Sequence, residues 1–201
     1  KSKVKNSIKT CNDFLSLIPD YTNSYSNLWI ALQSHDMLEE AIEAFNKALS
    51  INSDDAENYY NMGIALKDQG KLEEAIEAFN KALSLKPDFY EAYNNMGIVL
   101  KYQGKLEEAI DAYNKTILLK PDFAEAYNNM GIVLKEQGKL DKAIEIYNKT
   151  LSLKPDYADA YYNLGVALQS QDMLEEAIEA FNKALSLNSD DAETYYNMVI
   201  A

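Results

Sequence analysis

A 34-residue period runs through the whole chain and constrains its fold more than any other feature. The segment AENYYNMGIALKDQGKLEEAIEAFNKALSLKPDF begins at Ala56 and recurs from Tyr90, Ala124 and Ala158, and in a more divergent form from Thr22. Such self-similarity is typical of arrays in which each repeat packs on its neighbours. We therefore predict one continuous domain made of a partial repeat 1–21, complete repeats 22–55, 56–89, 90–123, 124–157 and 158–191, and a partial repeat 192–201.

Each complete repeat has the apolar spacing of two amphipathic helices. In repeat 90–123, the first helix carries one stripe made of Tyr93, Met96, Gly97 and Leu100, at i, i+3, i+4 and i+7. The stretch LEEAIDAYNKTIL supplies the stripe of a second helix. A single repeat buries too little apolar surface to offset the entropy of ordering its backbone, so we expect stability to come from stacking.

The ends of these helices carry recognisable signals. Gly104 follows the first helix, where glycine accepts the left-handed conformation that ends helices. Pro121 cannot continue the second helix. Asp88, followed three residues later by Glu91, predicts a capping box at the start of the first helix. The sequence therefore predicts an all-α fold.

The repeat pattern resembles the tetratricopeptide repeat family. The family's hallmark is an aromatic–Leu/Met–Gly–Leu set in the first helix and an Ala–aromatic–Ala set in the second, followed by proline. Residues 56–191 match closely, whereas in repeat 22–55 Trp29 stands at the glycine position and Ser53 at the proline position. In residues 1–21 only the back half is recognisable, with Cys11 where an aromatic residue normally stands. The resemblance implies an α-solenoid, a right-handed superhelix of antiparallel helix pairs with a concave binding groove.

Charge and residue content exclude several classes of function. The formal net charge of -13, from 19 basic and 32 acidic residues, disfavours nucleic acid and anionic membranes as partners. His35 and Cys11 are the only residues of their types, so no zinc site or catalytic constellation is expected, and no cofactor is predicted. We interpret His35 as a solvated turn residue and Cys11 as a core residue. The single cysteine and the lack of a visible signal sequence favour an intracellular, cytoplasmic location.

One asparagine recurs at the same position of every repeat, on the face of the first helix that lines the groove in this family. An amide offers donors and an acceptor, so a ladder of them suits the backbone of a bound peptide. The alternative is that these side chains only tie adjacent helices together. The ladder consists of Asn27, Asn61, Asn95, Asn129, Asn163 and Asn197.

Three further rows accompany this ladder. A β-branched row predicts an apolar floor for partner side chains, with lateral packing between first helices as the alternative: Ile30, Ile64, Ile98, Ile132, Val166 and Ile200. Tyrosines add amphipathic contacts of the kind that interfaces favour: Tyr60, Tyr102, Tyr162 and Tyr196. A narrower basic row is formed by Lys67, Lys101 and Lys135.

An acidic row excludes one class of ligand. Co-chaperones of this family clamp an acidic C-terminal carboxylate with cations, but this chain carries carboxylates at one of those positions: Glu57, Glu91, Glu125, Asp159 and Glu193. Because like charges repel, a chaperone tail is disfavoured and a mixed-charge or amphipathic ligand is expected. Helical-hairpin repeats that bind RNA are also disfavoured, since they have a basic groove.

The sequence thus predicts a non-enzymatic scaffold that binds an extended or helical peptide segment of a protein partner in its groove. The alternative is the substrate-recruiting arm of a larger enzyme, because the ladder resembles that of O-linked N-acetylglucosamine transferases. Asp36–Ser50 reappears unchanged at Asp172–Ser186, so we expect the parent array to be longer. We also expect head-to-tail self-association, with residues 1–21 of one molecule docking on residues 192–201 of another.

Overall fold

The structure is a computed structural model that describes residues 38–200. Predictions that concern residues 1–21, repeat 22–55 up to residue 37, and Ala201 lie outside the described residues. They include those on Cys11, Asn27, Trp29, Ile30 and His35.

The described chain consists of ten helices in two compact units, with no strand within residues 38–200. One unit extends to Gln103 and contains α1 (Leu38–Ile51), α2 (Ala56–Asp68), α3 (Leu72–Leu85) and α4 (Tyr90–Tyr102). The other begins at Gly104 and contains α5 (Leu106–Leu119), α6 (Ala124–Glu136), α7 (Leu140–Leu153), α8 (Ala158–Gln169), α9 (Leu174–Leu187) and α10 (Ala192–Ile200). The all-α prediction is confirmed. The even-numbered helices are the first helices of the repeats, and the odd-numbered ones are the second helices.

Within a repeat, the two helices meet where a glycine of the first faces an aromatic ring of the second. A Cβ atom added to Gly63 would lie 2.6 Å from Cε1 of Phe79, and one added to Gly165 would lie 2.5 Å from Cε1 of Phe181. A Cβ atom added to Gly131 would likewise lie 2.5 Å from Cε1 of Tyr147. These rings are fully buried, so glycine is needed because no side chain fits between helix and ring.

The turns between paired helices follow the sequence signals. Gly104 has φ +72°, which confirms its predicted left-handed conformation, and Gly70 and Gly138 adopt the same conformation. In repeat 158–191 the sequence has no glycine at this turn, and Asp172 takes a positive φ of 63° instead. The second helix α5 ends at Leu119, before Pro121 as predicted.

The predicted capping box at Asp88 and Glu91 is wrong. The N-cap residue of α4 is Phe89, and no side chain caps this helix end. Phe89 is buried, and its ring centroid lies 4.7 Å from that of Tyr60. The position before the helix is therefore occupied by a core side chain, and Asp88 contributes only its backbone carbonyl, which accepts from the Tyr90 N–H.

Side-chain capping occurs instead in the two repeats that start after a serine in place of proline. Asp55 caps α2 by accepting hydrogen bonds from the backbone N–H and the Nδ2 of Asn58, both at 3.0 Å. Asp191 similarly accepts from the backbone N–H and the hydroxyl of Thr194. Asn58 and Thr194 are fully buried, whereas the other first helices carry a buried alanine at this position: Ala92, Ala126 and Ala160.

This difference predicts unequal effects for two aspartates that precede successive first helices. Replacing Asp55 with alanine is expected to lower the free energy of unfolding by about 1–2 kcal/mol, because it removes a cap and leaves the buried Asn58 amide unpaired. Asp88→Ala is the matched control, with an expected change within about 0.5 kcal/mol. Urea denaturation followed by circular dichroism measures both values. Equal losses for the two variants would contradict the assignment of the cap.

Candidate functional site

The predicted asparagine ladder joins successive first helices. Asn95 donates from Nδ2 to the hydroxyl of Tyr60 at 3.1 Å, and Asn197 donates in the same way to Tyr162 at 3.1 Å. Asn163 donates from Nδ2 to Oδ1 of Asn128 at 3.1 Å. Each bond reaches the residue 35 positions earlier, on the first helix of the preceding repeat. The amide nitrogens therefore serve the helix-tying role that the sequence left open.

The same geometry leaves the amide oxygens of these side chains available. Asn95 also donates from Nδ2 to the Glu91 carbonyl at 3.1 Å, so its nitrogen is fully used. Within residues 38–200, no group donates a hydrogen bond to Oδ1 of Asn95, Asn163 or Asn197, and all three side chains are half-buried. The ladder thus offers acceptors to a ligand.

The residue immediately before each ladder asparagine also belongs to the site, and only some of these residues were predicted from the sequence. Tyr60 and Tyr162 were predicted as groove residues, and both are half-buried. Asn94 and Asn128 occupy the equivalent position in the intervening repeats and are buried. The signal was present in the sequence, because this position holds only tyrosine or asparagine from residue 60 onwards, residues that can accept a hydrogen bond from the ladder.

Both tyrosines are held in the protonated state. Burial, followed by the charge of Glu91, raises the pKa of Tyr60 to about 12. Burial also raises the pKa of Tyr162 to about 12, with a further contribution from the bond that its hydroxyl donates to Glu193 at 2.6 Å. A neutral tyrosine can donate and accept at once, so Asn197, Tyr162 and Glu193 form a continuous chain of hydrogen bonds.

The predicted apolar row lies partly in the core. Ile64 is half-buried and packs against the buried residues of the first unit, and Ile132 and Val166 do the same in the second unit. Ile98 is likewise half-buried, whereas Ile200 is 56% exposed. Ile64, Ile132 and Val166 therefore contribute to the hydrophobic cores, and the row keeps some accessible surface on each helix.

The lysines of the basic row have different surroundings. Lys67 pairs with Asp68 at 3.4 Å, and Nζ of Lys101 lies 4.9 Å from the ring centroid of the exposed Tyr102. Lys135 is half-buried. The remaining predicted tyrosine, Tyr196, is exposed on α10. On α4 the Lys101 cation and the Tyr102 ring thus lie side by side.

The acidic row divides into paired and exposed members. Lys154 forms a salt bridge with Glu125, in which Nζ lies 3.0 Å from Oε1. Burial alone would raise the pKa of Glu125, but the hydrogen bond and charge of Lys154 hold it below its ordinary value. Glu57, Asp159 and Glu193 are exposed. Carboxylates therefore remain on the first helices, as the predicted exclusion of acidic tails requires.

A second candidate surface lies on the outer side of the second unit. An open groove of about 490 Å³ lies between α7 and α9, and residues of α8 also line it. Its lining combines apolar residues, among them Ile144 and Leu168, with the polar Asn148, Glu176 and Lys183. This groove was not predictable from the repeat pattern, since no single repeat contains all of its lining.

Within residues 38–200, no group of three or more His, Cys, Asp or Glu side chains is arranged to hold a metal ion. No helix in that range combines the length and the apolar character needed to cross a membrane.

Comparison with known families agrees with this architecture. Models described as tetratricopeptide repeat match residues 122–190, 56–89 and 78–111, and a model described as TPR repeat matches residues 37–70 and 99–138. A crystal structure of MamA is 32% identical with a TM-score of 0.72, over 81% of this chain and 95% of that one. The chain belongs to the tetratricopeptide repeat family. Its described residues form a tetratricopeptide repeat solenoid, a fold typical of protein-interaction scaffolds.

Other solved members of the family are also similar. The protein titled "MamA 41-end" from Desulfovibrio magneticus RS-1 is 28% identical, with a TM-score of 0.74 over 86% of this chain and 98% of that one. YrrB, titled a TPR protein with an unusual peptide-binding site, is 26% identical, with a TM-score of 0.70 over 92% of this chain and 96% of that one. A comparison with curated protein sequences gives no match.

Proposed function

We propose that this tetratricopeptide repeat chain is a non-enzymatic scaffold that binds an extended peptide segment along the exposed face of its first helices. The observation that carries the proposal is the ladder of amide oxygens, which are oriented by bonds from their own nitrogens to the preceding repeat. Both Nδ2 hydrogens of Asn95 are already used, so Asn95 accepts hydrogen bonds from backbone N–H groups of the peptide and donates none. Asn163 and Asn197 each use one Nδ2 hydrogen in the bond to the preceding repeat and offer their amide oxygen beside the remaining N–H.

The spacing of the ladder fits an extended ligand. Neighbouring helices pack about 8–10 Å apart, and an extended chain advances about 3.3 Å per residue. Successive asparagines would then meet about every third residue of the peptide. Since backbone N–H groups are common to all sequences, this contact would supply affinity without strong sequence preference.

Side-chain preference would come from the flanking rows. The exposed Asp159 and Glu193 in the second unit favour basic peptide side chains, and the half-buried Val166 provides a small apolar contact. A peptide that alternates basic and apolar residues therefore suits the faces of α6, α8 and α10. YrrB, a TPR protein of similar structure, has an unusual peptide-binding site, which supports the same class of ligand here.

The experiment uses a peptide selected on the chain from a random peptide library. Replacing Asn163 or Asn197 with alanine is expected to weaken its binding about twofold to tenfold each, since a net hydrogen bond contributes about 0.5–1.5 kcal/mol. Asn182→Ala is the matched control, because Asn182 is exposed on the outer helix α9. Isothermal titration calorimetry measures the affinities, and circular dichroism checks that each variant is folded.

Asn148→Ala reports on the competing outer groove between α7 and α9. Loss of binding in this variant, with unchanged binding in Asn163→Ala and Asn197→Ala, would overturn the proposal and place the peptide on the outer surface. Loss in the two ladder variants alone supports the first-helix face.

The ladder also supports the second candidate, the substrate-recruiting arm of a larger enzyme. In that case the face would bind the same class of peptide, and catalysis would reside in a domain elsewhere in the parent protein. The two are distinguished by whether the full-length protein also contains a catalytic domain, since such a domain would favour the arm.

A further inference from the structure

The outer groove between α7 and α9 is lined mainly by apolar side chains. Leu164 and Leu168 of α8 and Ala180 of α9 are buried and line it, together with the half-buried Ile144 of α7. Met173, directly before α9, also lines the groove and is 37% exposed. The flexible, polarizable side chain of methionine adapts to the shape of a bound apolar group. The groove therefore offers an apolar contact surface to a ligand.

Two residues distinguish this surface from the equivalent surface of the preceding repeat. Ala180 stands where repeat 124–157 has Ile146, a larger side chain that would occupy part of the groove. Met173 stands where the second helices α3, α5 and α7 are each preceded by a lysine: Lys71, Lys105 and Lys139. From residue 56 onwards, no other repeat combines alanine and methionine at these two positions. The open, apolar groove is thus a property of this repeat.

Charge distinguishes the two surfaces further. The groove carries the exposed Glu176, Glu179 and Lys183, and none of them forms an ion pair within residues 38–200. The net charge of these three positions is −1, from two carboxylates and one ammonium group. In the preceding repeat it is +1, because the equivalent residues are Lys142, Glu145 and Lys149. A basic ligand is therefore attracted to the outer groove and not to the surface before it.

The backbone around the groove favours a helical ligand over an extended one. Apart from Met173, the lining lies inside the continuous helices α7, α8 and α9, whose backbone N–H and C=O groups bond to each other. An extended peptide would find no backbone partners on this surface. An amphipathic helix satisfies its own backbone groups and presents only side chains. The groove therefore suits a different class of ligand from the extended peptide proposed for the first helices.

We propose that the outer groove is a second binding site, which takes an amphipathic helix of a partner protein with lysine or arginine beside its apolar stripe. The apolar side chains of that helix pack against Leu164, Leu168 and Ala180. Its cations lie near Glu176 and Glu179. The site is independent of the asparagine ladder, so the chain can hold two partners of different conformation.

A helical probe peptide of about 20 residues tests this site, since isolated helices of that length can form in water. The probe is alanine-based, with leucines at i, i+4, i+7 and i+11 and lysines on both sides of that stripe. A second peptide carries glutamate in place of every lysine. Fluorescence anisotropy measures both affinities, and the lysine peptide is expected to bind at least about tenfold more tightly. A lysine peptide that does not bind the chain would overturn the proposal.

Two variants of equal net charge locate the bound probe. Glu179→Lys and Glu145→Lys alter exposed residues at equivalent positions of α9 and α7. The first is expected to weaken binding of the lysine peptide about threefold to tenfold, because it turns an attraction into a repulsion. The second is the matched control, with an expected change of less than about twofold. Equal losses would show a general attraction to an acidic protein and would overturn the site.

The apolar contact is tested by Ala180→Ile, which introduces the side chain of Ile146 from the preceding repeat. This variant is expected to weaken binding at least about tenfold by filling the groove. Circular dichroism verifies that it keeps its helicity. Asn163→Ala is expected to leave the affinity of the helical probe unchanged. A loss in Asn163→Ala, with none in Ala180→Ile and Glu179→Lys, would place the probe on the first helices and refute the second site.

Discussion

Replacing Gly165 with valine is expected to lower the free energy of unfolding by about 3 kcal/mol, at the upper end of the range for overpacked cores. The reason is the ring of Phe181, whose Cε1 atom lies 2.5 Å from the place of an added Cβ. The ring is fully buried and has no free space to enter, so the two helices of the repeat must separate. Urea denaturation of the full chain measures the loss.

Gly138→Asn is the control for this variant. Gly138 has φ +72° and no atom within 4 Å of an added Cβ, so only the backbone conformation is affected. Asparagine adopts that conformation readily, and the expected cost stays below about 1 kcal/mol. A loss for Gly165→Val no larger than that of Gly138→Asn would contradict the close packing of helix and ring.

Replacing Phe181 with alanine is expected to cost about 3–5 kcal/mol, because the change removes a fully buried ring and leaves a cavity between α8 and α9. Ile178→Ala on the same helix is the control, since Ile178 is exposed, and its expected cost is below about 1 kcal/mol. Thermal denaturation followed by circular dichroism ranks the two variants. Similar losses would show that the ring does not anchor the repeat.

The two positions are expected to be strongly coupled. In the Phe181→Ala background, Gly165→Val should cost about 1–3 kcal/mol less than in the wild-type chain, because the valine then enters the space left by the ring. The double-mutant cycle isolates this coupling energy. Strictly additive losses would contradict a direct contact between the two residues.

The 34-residue period, together with the glycine and proline residues at the helix ends, was enough to predict the helices and most turns. Gly104 and Pro121 act through their own backbones, so their effect does not depend on distant residues. The start of α4 could not be predicted in this way. A capping pattern at Asp88 competes with the burial of Phe89 against Tyr60, and that burial depends on a neighbouring helix.

In the candidate site, too, contacts between helices could not be predicted from the local sequence. The position of the ladder was predicted from the sequence, but the partners of its amide nitrogens were not, because each lies on another helix 35 residues away. In the structure the amide nitrogens tie helices together, Asn95 is left with an acceptor alone, and Asn163 and Asn197 each keep an acceptor and one N–H. The hydrogen bond from the buried Asn58 side chain to the half-buried Asp55 was not predicted, although the sequence shows an asparagine three residues after the Ser-Asp-Asp stretch.

A crystal structure of the chain with a selected peptide tests the central claim most directly. The proposal predicts an extended peptide across α6, α8 and α10, with backbone N–H groups within about 3 Å of Oδ1 of Asn163 and Asn197. A peptide seated in the outer groove between α7 and α9, with both amide oxygens left to solvent, would contradict it.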